Sequence, residues 1–393
     1  MTELARRAGL GDDELSTILA GTPPGVLSMT GGFPNPATFA RDELAEIAAR
    51  LVRDDAAALQ YAPCEGVASV RAYLRDRQQH LQGARPADDE LIVTSGGMEC
   101  LALVCSALID PGDVVAVEAP TYLGALLALR RAEAEPVGVA MDEQGLRVDA
   151  LAELLAGGAR PKLLYTIPDF QNPTGRTLPL ARRRELVELC RAHGVLIVED
   201  VAYRELAFAD DAPPTLWSLA PDVVLQAGTF SKVLFPGVRL GWASGPAPLV
   251  AALAAAKQTT DQCAGALGQR IVEEYGRGGG FGRALPAARA LYAQHWAALD
   301  AALRDAMPAG VVWTRPRGGF LTLLDLPAPL DALALREAAL AAGVAYVPGP
   351  PFHPDGGGRD TLRLSFSSLG ETELATAARR LAGVVREAAA TAA

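Results

Sequence analysis

The sequence predicts an α/β fold built on a largely parallel sheet with helices on both faces. Three observations predict it. From about Glu90, short aliphatic or β-branched runs alternate with longer segments of helical apolar period, the pattern of repeated strand–helix–strand units. Clusters of Gly, Pro, Asn and Asp punctuate the joins. The polar, aromatic and cationic residues of interest fall just after the strand-like runs, where open parallel sheets bind their ligands.

The elements follow in order. The first forty residues read as a short helix and an irregular arm, because Gly21, Pro23, Pro24, Gly25, Gly31, Gly32, Pro34 and Pro36 exclude a core element there. A helix over 41–53 follows, with Leu44, Ile47 and Leu51 on one face, then a loop from Gln60 to Gly66 and a helix through Val70 and Leu74. Strands are expected at 91–94, 114–118, 163–167, 195–198 and 223–226, and helices at 98–109, 122–131 and 180–192. The glycine run 276–282 reads as a linker-like break. Beyond it come a long helix over 283–303, strands at 311–314, 320–324 and 361–366, and a closing amphipathic helix over 377–388. The division expected is an arm (1–40), a large domain (41–282) and a small α/β domain (283–393).

Composition narrows the function classes. The 393 residues are 50% hydrophobic and 21% charged, enough for a substantial core. The net charge of −10, without a basic run, argues against nucleic-acid or anionic-membrane partners and for small-molecule chemistry. No stretch approaches the roughly 18 apolar residues of a membrane span, and the N-terminus lacks the apolar centre of a signal peptide, so a cytoplasmic location is expected. The five cysteines form no CxxC pair and the four histidines no ligand spacing, so no metal site is expected. Cys100, Cys105 and Cys190 read as buried thiols.

The chemistry gathers at the strand ends. After the first strand, Ser95-Gly96-Gly97-Met98 runs into a helix N-terminus suited to a phosphate. Thr121-Tyr122 follows the second strand, Asn172-Pro173-Thr174-Gly175 the third, and Asp200 with Tyr203 the fourth. After the fifth, Lys232 stands between Thr229, Ser231 and Arg239, a setting in which its amine could stay partly neutral beside a clasped phosphate. That combination suits a Schiff base with a phosphorylated aldehyde. Each residue also has a plain structural reading: Ser95 as a helix cap, Tyr122 as core, Asn172-Pro173 as a turn, Asp200 as a loop carboxylate and Lys232 as a solvated cation. All of those would have to hold together at one sheet edge.

Asn172-Pro173-Thr174-Gly175, Asp200 with Tyr203, Ser231-Lys232 with Arg239, and Arg363 in Leu362-Arg363-Leu364 together resemble the class I/II aminotransferases, pyridoxal-phosphate enzymes of fold type I. The resemblance runs from Gly31-Gly32 to Arg363. Pro168-Asp169-Phe170-Gln171 and Val347-Pro348-Gly349 are most similar to the branch holding 2-aminoadipate aminotransferases and MocR-type regulators. It implies a mostly parallel sheet of the seven-stranded type, sandwiched by helices, and a small domain that closes over substrate. Pyridoxal 5′-phosphate is the implied cofactor, and an amino acid and a 2-oxo acid are the implied substrates.

Carried over residue by residue, the resemblance makes Lys232 the Schiff-base lysine and proton shuttle, and Asp200 the carboxylate at the pyridine nitrogen. Asn172 and Tyr203 would hydrogen-bond the phenolic oxygen, and Tyr122 would stack on the ring. Ser95, Gly97, Met98, Ser231 and Arg239 would hold the phosphate, joined by Tyr61 from the second subunit of a homodimer with shared active sites. Gly32, Asn172 and Arg363 would bind substrate, Arg363 through the α-carboxylate.

Two departures from the family pattern matter. The phosphate turn reads Ser95-Gly96-Gly97-Met98-Glu99, without the usual glutamines, and the segment 18–24 has no arginine, where aminoadipate-type relatives often carry a basic residue. With Phe33, Phe320 and Phe352 as candidate pocket residues, neutral apolar or aromatic donors are expected. The same cofactor also serves decarboxylases, lyases, racemases and oxidases, and a MocR-like sensor half is a third reading, which would need a DNA-binding domain upstream of Met1.

Overall fold

Alternating residues of four central strands divide between two cores, which is what a sheet covered on both faces requires. The computed structural model describes Leu15, Ser16, Ile18 and residues 21–209 and 212–392. Val115, Val117, Leu163, Tyr165, Val198 and Leu225 pack on one face, under the helices Gly97–Leu108, Leu123–Arg131 and Ala247–Thr260. Ala116, Leu164, Ile197 and Val224 pack on the other, under Val148–Ala156, Leu180–His193 and Leu216–Leu219.

A two-residue strand, β1 (Leu27–Ser28), lies in the arm. The large sheet is formed by β2 (Leu91–Thr94), β3 (Val114–Ala119), β4 (Glu135–Asp142), β5 (Gly145–Leu146), β6 (Leu163–Thr166), β7 (Leu196–Asp200), β8 (Val224–Thr229) and β9 (Gly241–Ser244). Their order is β2-β9-β8-β7-β6-β3-β4-β5. Pairing is parallel through β8, β7, β6, β3 and β4, and antiparallel on both sides of β9. The sheet is therefore seven strands of the expected type, extended by the two-residue return β5.

A second sheet joins β10 (Val312–Trp313), β11 (Leu321–Asp325), β13 (Val347–Pro348) and β14 (Thr361–Ser365) in the order β10-β11-β14-β13. β12 (Val344–Ala345) pairs instead with β1, so the arm is tied to the C-terminal unit. The helices Gly280–Ala306 and Glu371–Ala392 pack on each other beside that sheet.

Two expectations need correction, and the strands β4 and β9 lie outside the expected ones. The glycine run 276–282 is no linker. Helix Ala266–Arg277 ends there and the next starts at Gly280, with Gly279 at φ +78° between them and Tyr275 edge-on to Phe281 at 5.1 Å in the core. The boundary drawn at 282/283 thus falls inside a helix. β8 runs on to Thr229 and β7 to Asp200, so both residues lie on strands rather than past them. β4 escapes a pattern reading because Pro136 and Gly138 interrupt it, a composition a strand near the sheet edge tolerates. β9 is four residues in a stretch to which the sequence reading assigns no element.

Candidate active site

The C-terminal ends of β2, β3, β6, β7 and β8 meet at one edge of the sheet, and a cavity of about 600 Å³ opens there. Gly97, Met98, Tyr122, Asn172, Asp200, Tyr203, Ser231, Lys232 and Arg239 line it from the large domain, Arg363 from β14 and Gly32 from the arm. Eleven of the thirteen residues to which the resemblance assigns a cofactor or substrate role therefore share one cavity. The other two lie outside its lining. Ser95 turns its hydroxyl to the Asp261 carboxylate at 2.7 Å, because the turn at Gly96 points the chain away, and Tyr61 stands 80% exposed on the surface.

Lys232 follows β8 within a tight turn. Its Nζ donates to the Gly32 carbonyl at 2.8 Å and lies 5.8 Å from the Tyr203 ring centroid. Burial first, and then the positive charge of Arg363 and Arg239, push this amine down to about 8, with Asp200 acting against them. A lysine so placed is a nucleophile and a base near neutral pH. Asp200 ends β7 and accepts from the Tyr165 hydroxyl at 2.8 Å and the Ala202 N–H at 3.0 Å. Burial raises its carboxyl, while those two donors and Lys232 favour the anion. Tyr203 packs edge-on to Phe320 at 5.6 Å, and burial pushes the phenols of Tyr203 and Tyr122 upward, so both remain neutral donors.

Arg363 is 4% exposed. Nη1 donates to Asn172 Oδ1 at 3.0 Å and Nη2 to the Thr30 carbonyl, and its guanidinium lies 4.9 Å from the Phe352 ring centroid. Phe320 and Phe352 are thus packing residues rather than pocket lining, both fully buried. Phe33 does line the cavity, with Leu15 and Ile18 of the arm. The turn 95–97 is shaped for a close approach: Gly96 has φ +102°, and a Cβ there would come within 2.8 Å of Arg239 Nη2. Arg239 itself adopts the left-handed conformation, φ +47°, which is costly for a residue with a Cβ, and donates to the Ser95 carbonyl at 3.2 Å.

The Asn172 loop is braced from beneath. Gln171 Nε2 donates to Glu118 at 2.9 Å and to the Pro120 carbonyl at 2.8 Å, while its Oε1 accepts from Thr174. Glu118 also accepts from Thr166 at 2.6 Å, and burial raises its carboxyl to about 7. Asp169 pairs with both Arg183 and Arg204, joining this loop to the one that carries Tyr203.

Sequence reading missed Tyr165, whose signal was faint: it is a hydroxyl-bearing residue on a buried strand, two residues from Leu163 on the same face. It also missed Leu15 and placed no role on Ile18. Among the described residues no cluster of His, Cys, Asp and Glu could hold a metal ion, and no helix is long and apolar enough to cross a membrane.

Comparison with known proteins agrees with this geometry. The family model for aminotransferase class I and II matches residues 32–381. The chain is 40% identical to a 2-aminoadipate transaminase of Thermus thermophilus over 363 residues, 91% of this chain and 89% of that one. It is 36% identical to aromatic-amino-acid aminotransferase 1 of Thermococcus litoralis over 369 residues, 92% of this chain and 88% of the relative. Among solved structures, Thermus thermophilus LysN, an α-aminoadipate aminotransferase complexed with N-(5′-phosphopyridoxyl)-L-leucine, superposes with a TM-score of 0.93 at 38% identity, covering 99% of this chain and 98% of that chain. A multiple substrate aminotransferase from Thermococcus profundus gives 0.94 at 34%, with the same coverage. With a lysine, a facing carboxylate and an arginine gathered at one sheet edge, and with these relatives along nearly its whole length, the chain belongs to the class I and II aminotransferases and is a pyridoxal-phosphate-dependent transaminase of fold type I.

Proposed function

We propose that this aminotransferase takes its amino group from neutral apolar or aromatic L-amino acids and passes it to a 2-oxo acid such as pyruvate or 2-oxoglutarate. One observation carries the substrate class: among the described lining residues the arginines are Arg239 and Arg363, and the arm contributes Leu15, Ile18 and Phe33. Arg317 lines a separate cleft with Arg176 and Arg315. A substrate side chain entering beside the arm meets apolar surface, and a second carboxylate there would be buried without a partner.

The residues fit the cofactor. Gly97 and Met98, the first residues of their helix, line the cavity together with Arg239, the chemistry of a phosphate site, and Lys232 and Asp200 line the same cavity. Pyridoxal phosphate, when bound, supplies an aldehyde that condenses with amines and a ring that takes up the electrons released at the substrate Cα. In our reading Gly97, Met98, Ser231 and Arg239 bind the phosphate, Tyr122 stacks on the ring, and Asn172 and Tyr203 donate to its phenolic oxygen. Asp200 keeps the ring nitrogen protonated. Arg363 binds the α-carboxylate, and Lys232 carries the proton to and from Cα. Ser95 acts through its carbonyl on Arg239.

The exposure of Tyr61 supports a homodimer in which that residue reaches the partner's site. The test is a panel of donors with pyruvate as acceptor. Leucine, methionine or phenylalanine should exceed 2-aminoadipate and aspartate in kcat/KM. The opposite order would mean that a cation outside the described residues, such as Arg6 or Arg7, serves the pocket.

A further inference from the structure

Against the turn 95–97, and outside the lining of the cavity, lies a set of charges that the transamination reading does not use. Lys257, on helix Ala247–Thr260, is fully buried. Its Nζ lies 2.7 and 2.8 Å from the two oxygens of Glu99 and 2.7 and 2.9 Å from those of Asp261. Glu99 accepts from the Ser95 N–H, Asp261 accepts from the Ser95 hydroxyl, and the Ser95 carbonyl accepts from Arg239. Every polar group of Ser95 is therefore tied, directly or through one carboxylate, to a single ammonium or to the cavity's arginine. Glu99 stands in the first turn of the helix whose N-terminal residues, Gly97 and Met98, line the cavity.

We infer that Lys257 is a positioning residue for the cofactor's phosphate: it holds the turn 95–97 in shape through Glu99 and Asp261, and it offsets two carboxylates that would otherwise repel a phosphate dianion at that turn. The physical reason is charge. Two carboxylates without the ammonium leave a net charge of minus two beside a site that must attract an anion, and buried fields of that kind are weakly screened. With Lys257 the cluster carries one net negative charge, partly turned toward solvent through Asp261, which is exposed where Lys257 is not. The inference rests on the phosphate lying at this turn.

The test compares the affinity of the cofactor-free full chain for pyridoxal phosphate and for pyridoxal, read by the absorbance of the bound chromophore. Lys257→Met is expected to lower the ratio of the two affinities at least about tenfold, because only the phosphate-bearing ligand senses the turn. The double variant Lys257→Met with Glu99→Gln restores the native net charge and keeps an acceptor on the Ser95 N–H, so its ratio should return to within about threefold of the wild type. Arg239→Gln locates the phosphate and should also lower the ratio. A fall in Arg239→Gln with none in Lys257→Met overturns the role of Lys257 alone, and no change in either overturns the phosphate placement with it. If Lys257→Met does not fold, the double variant still decides: a ratio tenfold below wild type refutes the charge argument.

Discussion

Replacing Asp200 by Asn tests the electrostatic centre of the site. The carboxylate ends β7, faces the cavity and is held by Tyr165 at 2.8 Å and the Ala202 N–H at 3.0 Å. Asn preserves the shape and one acceptor but removes the charge that would keep the ring nitrogen protonated. At hydrogen-bond distance and an effective dielectric of about 20, a charge pair is worth roughly 5 kcal/mol, which converts to between a thousandfold and ten-thousandfold in the rate of proton removal. Tyr165→Phe is the graded companion: it deletes one hydrogen bond to an ion, about 1.5–3 kcal/mol, so it should slow the same step by roughly ten- to a hundredfold. The assay is exchange of the substrate α-proton for deuterium, followed by NMR, which isolates this step from acceptor chemistry. An Asp200→Asn enzyme exchanging within tenfold of wild type, or a Tyr165→Phe enzyme slower than Asp200→Asn, would refute the assignment.

Three further predictions follow from the same geometry. In the cofactor-free chain the Lys232 amine should become reactive toward acylating reagents with a midpoint near pH 8, since burial, Arg363 and Arg239 push it down to about 8; competitive labelling with peptide mass mapping would refute this with a midpoint above 10. Arg363→Lys keeps the charge but loses the planar pair of donors and the bond to Asn172, so kcat/KM for amino acids should fall about a hundredfold, and near-native kinetics would remove Arg363 from the α-carboxylate site. Glu118, raised to about 7 by burial, holds its proton in the folded state at pH values where the unfolded chain, near 4.5, has lost it. Stability should therefore fall as pH rises from 4.5 to 7, by up to about 3 kcal/mol, and Glu118→Gln should flatten that slope in urea melts; an unchanged slope would mean that Glu118 is ionised throughout.

The strands that carry chemistry were legible because they are buried on both faces and read as unbroken apolar runs, and because their ends are marked by residues that have little use in a core. Lys232, Asp200 and Asn172 stood out by their place after such runs, and the family resemblance supplied their roles. The strands that escaped are those whose burial is supplied by neighbours. β4 carries Pro136 and Gly138, and β9 contains Gly241, so neither has a period to read. Side-chain direction was the other gap. Ser95 opens the turn proposed to hold the phosphate, yet its hydroxyl is turned to Asp261 beside the left-handed Gly96. Phe320 and Phe352 stay buried behind the cavity wall, packed against its lining residues Tyr203 and Arg363. Tyr165 was hidden for the opposite reason: a lone hydroxyl on a core strand gives no pattern, and only the register that brings β6 beside β7 sets it against Asp200.

The charges of the cavity bear directly on specificity. Its described lining holds three cations, Lys232, Arg239 and Arg363, and one carboxylate, Asp200. In the proposed arrangement Asp200 is matched by the ring nitrogen, Arg239 by the phosphate and Arg363 by the substrate α-carboxylate, and Lys232 must spend part of the cycle neutral to accept a proton. Among the described residues no cation is left for a distal carboxylate, and the described arm residues that would meet it are Leu15, Ile18 and Phe33. Burying that group unpaired costs several kcal/mol, enough for a hundredfold preference or more in kcat/KM. The same argument applies to the second half-reaction, because donor and acceptor use one site: pyruvate should be preferred over 2-oxoglutarate as leucine is over 2-aminoadipate. Ile18→Arg should then narrow both preferences together by at least about tenfold, since a new ion pair serves either dicarboxylate. A variant that changed the donor order and left the acceptor order untouched would refute the single-site argument.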